Sequence, residues 1–300
     1  MANLNTKKIL VPLDFSETSM NAVRHACFLA QLTKGDVLLT HIIPKNHEAF
    51  SVIQPELKIS MDMNNASSAI ENKLNLLCKE LHKEFGINIQ SVVSIGNISR
   101  EIIRICSEEN CGMIIMGTQG YSALEMLFIG SNTIKVLGDS DVPVMSVRKP
   151  ANKNGYKNII LPIDESSHSR QKVGIAIEIA KEFGARLHVL GFSEGEDTSF
   201  HDKLVNIYSQ IDKLAVQKNV TTIHKTLVSP DNNVNATLAY TSDVNGDLIV
   251  IMSDQNKELS GLFLGAYSSQ LINSAEVPVL TLNPVQQGEI SYSTPGTAGW

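Results

Sequence analysis

The chain has 300 residues, of which 43% are hydrophobic and 19% charged, enough for one large core or two medium ones. Its net charge of −6 argues against a general nucleic-acid binder, which needs clustered Lys and Arg to meet phosphates. No apolar run approaches the length of a membrane span, and MANLNTKK runs straight into a strand pattern with no signal-peptide pattern before it, so we expect a cytoplasmic protein with no membrane partner.

In chain order, Lys8 to Leu13 (KILVPL) is an apolar strand that ends at Asp14. Ser16 and Thr18 offer N-caps for a helix whose apolar face includes Ala22, Ala26, Leu29 and Ala30. Gly35 turns the chain into a second strand, Val37 to Ile43. A long polar connection, Pro44 to Met63, leads to an amphipathic helix through Ile70, Leu74, Leu77, Cys78 and Leu81. Strand three is expected near Ile87–Ile95, a short helix over Ser99–Cys106, and strand four over Gly112–Met116. MGTQGYSALEMLFIGSN (Met116 to Asn132) comes next, then a helix from Thr133 that fades at Gly138, then a fifth strand, Pro143 to Val147.

The pattern then begins again. NIILPID (Asn158 to Asp164) repeats KILVPLD, Gly184 answers Gly35, and Val277-Pro278-Val279 answers Val142-Pro143-Val144. Two copies of a β-α unit, residues 1–150 and 151–285, with a polar linker from Lys149 to Tyr156 and a tail over 286–300, account for this most simply. Alternating strands and helices with near-continuous apolar strands predict α/β domains whose parallel sheets are covered on both faces.

The order strand, Gly117, Gly120, apolar segment, Gly130-Ser131, helix carries the chemistry. Glycines let backbone approach an anion closely, and a helix start favours phosphate through its unpaired N–H groups and dipole. Ser131 could both cap that helix and donate to a phosphate oxygen. The spacing is neither a dinucleotide fingerprint nor a Walker A loop. With the strand before it and Val-Pro-Val after it, it resembles the ATP-binding signature of the universal stress protein family.

That resemblance covers nearly the whole chain twice. It implies two doubly wound, Rossmann-like five-stranded domains of strand order 3-2-1-4-5, with fifth strands pairing antiparallel, here as an intramolecular pseudo-dimer. That order makes a switch point between strands one and four, so Asp14 and Gly117 should meet in one crevice. The resemblance assigns Pro12 and Asp14 to the nucleoside, the Ile42 backbone to the adenine edge and Met116 to base or sugar. Gly117, Gly120, Gly130, Ser131 and Asn132 would wrap the phosphates of ATP, with Mg²⁺ as a counter-ion. Each has a plainer reading: Asp14 as a turn residue, Ile42 and Met116 as core, the glycines as turns. Many nucleotide-binding members carry a basic residue between the first two glycines, whereas Thr118-Gln119 is neutral and the nearest cation in sequence is Lys135.

The second half reads as degenerate. Met252-Ser253-Asp254-Gln255-Asn256 stands where MGTQG stood, and after a one-residue deletion Gly265-Ala266 answers Gly130-Ser131. The second crevice should therefore hold no triphosphate. The eight histidines form no metal spacing, and no nucleophile motif or dedicated Mg²⁺ carboxylate set is present. The four cysteines read as reduced core residues. We expect an ATP-binding stress-response regulator in which the ligand orders Tyr121–Ile129 for a protein partner. A scaffold without nucleotide and a slow ATPase stay open as alternatives, as does a homodimer of tandem chains.

Overall fold

In the computed structural model, residues 7–45, 63–118, 129–148, 155–164, 166, 169–193, 198–228, 233–253 and 264–284 are described. Most of the polar connection Pro44–Met63, Gly120, most of the apolar segment Tyr121–Ile129 and the tail lie outside these residues.

The apolar runs become the strands. The first half contains β1 (Lys8–Pro12), α1 (Glu17–Thr33), β2 (Asp36–Pro44), α2 (Met63–Phe85), β3 (Ile89–Gly96), α3 (Ile98–Glu108), β4 (Met113–Gly117), α4 (Ser131–Asp139) and β5 (Val144–Val147). The second half repeats the order: β6 (Asn158–Ile163), a 3-10 turn (Ser169–Lys172) with α5 (Val173–Phe183), β7 (Arg186–Ser193), α6 (Thr198–Gln217), β8 (Thr222–Val228), α7 (Asn233–Asp243), β9 (Leu248–Met252), α8 (Ala266–Ser274) and β10 (Val279–Leu282).

The ten strands among the described residues form one sheet in the order β3-β2-β1-β4-β5-β10-β9-β6-β7-β8. Each half therefore has the expected order 3-2-1-4-5, parallel throughout. The halves join where β5 and β10 pair antiparallel, Met145 opposite Leu280. The pseudo-dimer is thus one continuous sheet, and two strand edges that would invite aggregation close each other. One core lies under α1, α2, α5 and α6, the other under α3, α4, α7 and α8.

The helix ends follow local chemistry. Ser16 caps α1 by accepting the Ser19 N–H at 3.3 Å, and Asn97 caps α3 by accepting the Arg100 N–H at 3.2 Å. At the C-terminus of α1 the left-handed residue is Lys34 (φ 54), not Gly35, and its counterpart is Gly184 (φ 62). The repeat thus pairs Gly184 with Lys34, because the helix closure rather than the glycine sets the register.

Strand register also corrects the alignment of the two glycine regions. Gly117 pairs with Val147 at the end of β4, and Met252 pairs with Leu282 at the end of β9. Met252, not Ser253, therefore answers Gly117, and Ser253 answers Thr118. Gly265-Ala266 then follows Met252 at the same spacing by which Gly130-Ser131 follows Gly117, so the one-residue deletion disappears.

Candidate functional site

β1 and β4 lie side by side, with Ile9 opposite Met113 and Leu10 opposite Ile114, so their carboxyl ends open on one crevice. Asp14 follows β1. One of its carboxylate oxygens accepts the Ser16 N–H at 3.0 Å and the Ser16 hydroxyl at 2.5 Å. That oxygen builds the turn that positions the α1 cap, so the plainer reading of Asp14 is fulfilled whatever else it does. Phe15 next to it has φ 66, a left-handed conformation uncommon outside glycine, and lies against His41 with ring centroids 5.5 Å apart. The Lys73 ammonium from α2 sits 4.0 Å from the Phe15 ring centroid. Lys73 is thus a cation that the fold, not sequence proximity, brings to the end of β1.

His41 is buried beneath this turn, its Nδ1 2.8 Å from the Leu13 carbonyl oxygen. Burial holds its pKa below the usual histidine value, opposed by the bond to Leu13 and the charge of Asp14, and assisted by Lys73. Pro12 ends β1 and is half-buried. Thr40 pairs with Pro12, and its carbonyl accepts the Leu13 N–H at 2.9 Å. Strand alternation turns the backbone groups of Ile42 to that same side, beyond the last β1 residue. Met116 is 6% exposed and packs in the α3–α4 core with Leu10 and Ile129.

Gly117 has a structural reason to be glycine. A Cβ there would stand 2.9 Å from the Thr18 carbonyl carbon and 3.0 Å from the Ser19 nitrogen, so α1 begins directly against the end of β4. In the second half the buried Met252 holds this position, and the α-helix starts only at Val173, after the 3-10 turn. That turn folds Lys172 inward, its Nζ donating to Ser169 Oγ at 3.0 Å.

Gly130 differs. Its φ of −60 suits any residue, and the nearest atoms to an added Cβ lie at 3.7 Å, so nothing among the described residues requires glycine. Its amide does not face the crevice; it donates to the Thr118 carbonyl at 2.9 Å. Gly130 rather than Ser131 is the N-cap of α4, and no side chain among the described residues caps the helix. The expectations that Ser131 caps the helix and that the Gly130 amide reaches a phosphate are corrected here: the return bond to Thr118 holds Gly130 extended and moves Ser131 into the first turn. The N–H groups of Ser131, Asn132 and Thr133 have no acceptor within the helix. The Thr133 hydroxyl donates to the Gly117 carbonyl at 3.3 Å, anchoring this helix start on the end of β4. Thr118, 3% exposed, keeps a buried hydroxyl without a hydrogen-bond partner at the same junction.

The arrangement brings Pro12, Asp14, Gly117, Gly130, Ser131 and Asn132 to one end of the sheet. Thr118, Thr133, Phe15 and Lys73 join them, which sequence reasoning missed. Only Thr118 lay within the motif; the others are placed by topology. The described histidines serve local structure, as in His25 with the Tyr156 hydroxyl at 2.8 Å and His224 with Asp212 at 2.9 Å.

Two parallel half-sheets joined through their fifth strands, each with its switch point between strands one and four, define a tandem doubly wound α/β protein. The Universal stress protein family matches the chain at residues 5–148 and again at 155–283, and the chain belongs to that family. A universal stress protein of Methanocaldococcus jannaschii is 30% identical over 155 residues, 48% of this chain and 95% of its own length. One from Mycolicibacterium smegmatis is 24% identical over 302 residues, covering 92% of this chain and 97% of its own. Among solved structures, a universal stress protein from Archaeoglobus fulgidus superposes with a TM-score of 0.74 at 20% identity, covering 93% of this chain and 99% of its own. No described helix is long and apolar enough to cross a membrane.

Proposed function

We propose that the first half binds ATP in the crevice between β1 and β4, as a nucleotide-dependent regulator within the stress response. The units are residues 1–150, the binding half, and 151–285, the partner half, with 286–300 as a tail. The nucleoside lies toward Pro12, Asp14 and the Ile42 backbone. The phosphates lie toward Gly117, Gly120, Ser131 and Asn132, and Mg²⁺ offsets their charge.

One observation carries this reading: the N-terminus of α4, uncapped by any side chain among the described residues, is held beside the end of β4 behind a glycine that the described backbone does not need. A glycine with no internal reason suits a place where something outside the chain must approach. Gly130 therefore contributes by lacking a side chain rather than by donating its amide. The second crevice, with Met252 for Gly117 and Ala266 for Ser131, takes no triphosphate.

The test separates binding from folding. Aspartate is a good N-cap, so Gly130→Asp should leave the thermal midpoint unchanged or slightly raised. The same carboxylate would stand in the way of the phosphates and weaken ATP binding, read by calorimetry, by a factor of at least about ten. ATP affinity equal to that of the unaltered chain would overturn the proposal.

A further inference from the structure

The helix α3 ends in a closure that places two cysteines together. Asn110 is left-handed (φ 51), its N–H donates to the Ser107 carbonyl at 3.1 Å, and the Cys111 N–H donates to the Cys106 carbonyl at 2.9 Å. This is the Schellman pattern, whose two end residues bring their side chains into contact. The equivalent closure of α7 gives the scale. Gly246 donates to Thr241 at 2.7 Å, and a Cβ on Gly246 would stand 2.8 Å from Thr241 Cγ2. In the first half both end positions are cysteine. Cys106 Sγ donates to the Cys111 carbonyl oxygen at 3.8 Å, which folds its thiol back over Cys111. The backbone bond between the two residues holds their Cα atoms within the roughly 4–7 Å that a disulfide spans.

We propose that Cys106 and Cys111 form an oxidation site that closes to an intramolecular disulfide on reaction with a peroxide. Cys111 is the attacking sulfur. The adjacent Cys106 thiol holds its pKa below the usual thiol value, with the nearby Lys8 ammonium assisting and burial opposing. The neighbouring Cys111 sulfur, together with burial, pushes the Cys106 thiol up, so Cys106 keeps its proton until the second step.

In the first step the Cys111 thiolate attacks one peroxide oxygen and the O–O bond breaks. The departing hydroxide takes a proton to become water, and Cys111 becomes a sulfenic acid. Cys106 then loses its proton and attacks the Cys111 sulfur. The S–S bond forms as the S–O bond breaks, and a second water leaves. Two thiols lose two electrons in all, and one peroxide is reduced to two waters.

Both cysteines are 5% exposed, but the turn above them, Ser107 to Asn110, is exposed throughout. Fraying of that last turn admits the oxidant. The ion pair of Lys8 with Glu109, at 2.5 Å, tethers the turn. Cys27 and Cys78 lie in the other core and serve as internal controls. Burial, with the charge of Glu84, pushes the Cys27 thiol up to about 12, which leaves it unreactive.

The experiment exposes the full chain to hydrogen peroxide, alkylates it after denaturation, and maps the peptides by mass. No Lys or Arg lies between Arg104 and Lys135, so one tryptic peptide carries both cysteines. We expect that peptide to be about 2 Da lighter with neither sulfur alkylated, and cleavage after Glu108 or Glu109 to leave the pieces joined until reduction. Cys27 and Cys78 should alkylate fully. The Cys106→Ser variant should stop at a Cys111 sulfenic acid that dimedone captures, and Cys111→Ser should give neither product. Four alkylatable thiols after peroxide, a Cys27–Cys78 link, or dimedone capture on Cys106 in Cys111→Ser would each overturn the proposal.

Discussion

At the scale of single residues, two glycines of one motif have opposite reasons to exist. Gly117 is fixed from inside, because α1 begins against it. Gly117→Ala should lower stability by about 1–3 kcal/mol, since the atoms it meets are backbone and cannot swing away. Chemical denaturation measures this, and an unchanged midpoint would place the helix start too close to the strand. Gly130 meets no such need among the described residues. The sequence made the two look alike, since spacing reports that glycine recurs but not what lies opposite its missing side chain. Asp14 and Gly117 were legible as neighbours because the family resemblance implied the order 3-2-1-4-5, which sets strands one and four side by side. Lys73 over Phe15 was not legible, since no local pattern links a residue of α2 to the turn after β1.

Histidine burial sets a pH dependence at the same scale. His25 is fully buried against Tyr156, and burial pushes its pKa down to about 4 from 6.5. A depressed folded value means that the unfolded chain takes up the proton first. The stability present above pH 6.5 is therefore lost as the pH falls from there toward 4, up to about 3 kcal/mol for this residue. His41 and His188, whose values are also lowered by burial, act in the same direction. His25→Gln should flatten the fall in unfolding midpoint between pH 7 and 5; a slope identical to that of the unaltered chain would assign the acid sensitivity elsewhere.

At the scale of elements, the periodicity of apolar residues foretold the strands and helices, whereas their ends were set by hydrogen bonds that composition does not display. The seam is the clearest case. Asn283, just past β10, donates to the Gly138 and Ser140 carbonyls at 3.3 and 2.7 Å and so closes the C-terminus of α4. Arg148, just past β5, donates to the Asn273 carbonyl at the C-terminus of α8. Each half thus finishes a helix of the other, and in both cases the helix is the one that starts at a crevice. A cation and an amide donor both suit the negative end of a helix, which is why unlike residues fill equivalent places. Asn283→Ala should cost about 1–3 kcal/mol, from two lost bonds to helix-end carbonyls and the bond its amide oxygen accepts from the Ser253 hydroxyl. It should also raise amide exchange in α4, on the far side of the seam. Exchange that rises only around β10 would contradict reciprocal capping.

At the scale of the whole molecule, one ten-stranded sheet carries two crevices of common design and unequal chemistry. The duplication was legible because NIILPID and Val-Pro-Val recur in order, and the joined fifth strands because the family resemblance implied them. The register of the second copy was not, because a one-residue slip leaves the letters plausible and only strand pairing resolves it. The corrected register sharpens the contrast: a buried methionine stands where the first half has the glycine that admits α1. The central claim is one nucleotide per chain, held in the first half. Its most direct measurement is calorimetric titration of the full chain with MgATP, alongside Gly130→Asp and the matching Gly265→Asp. The account predicts one site per chain, lost in Gly130→Asp and kept in Gly265→Asp. Two sites per chain, or one that survives Gly130→Asp and disappears in Gly265→Asp, would contradict it.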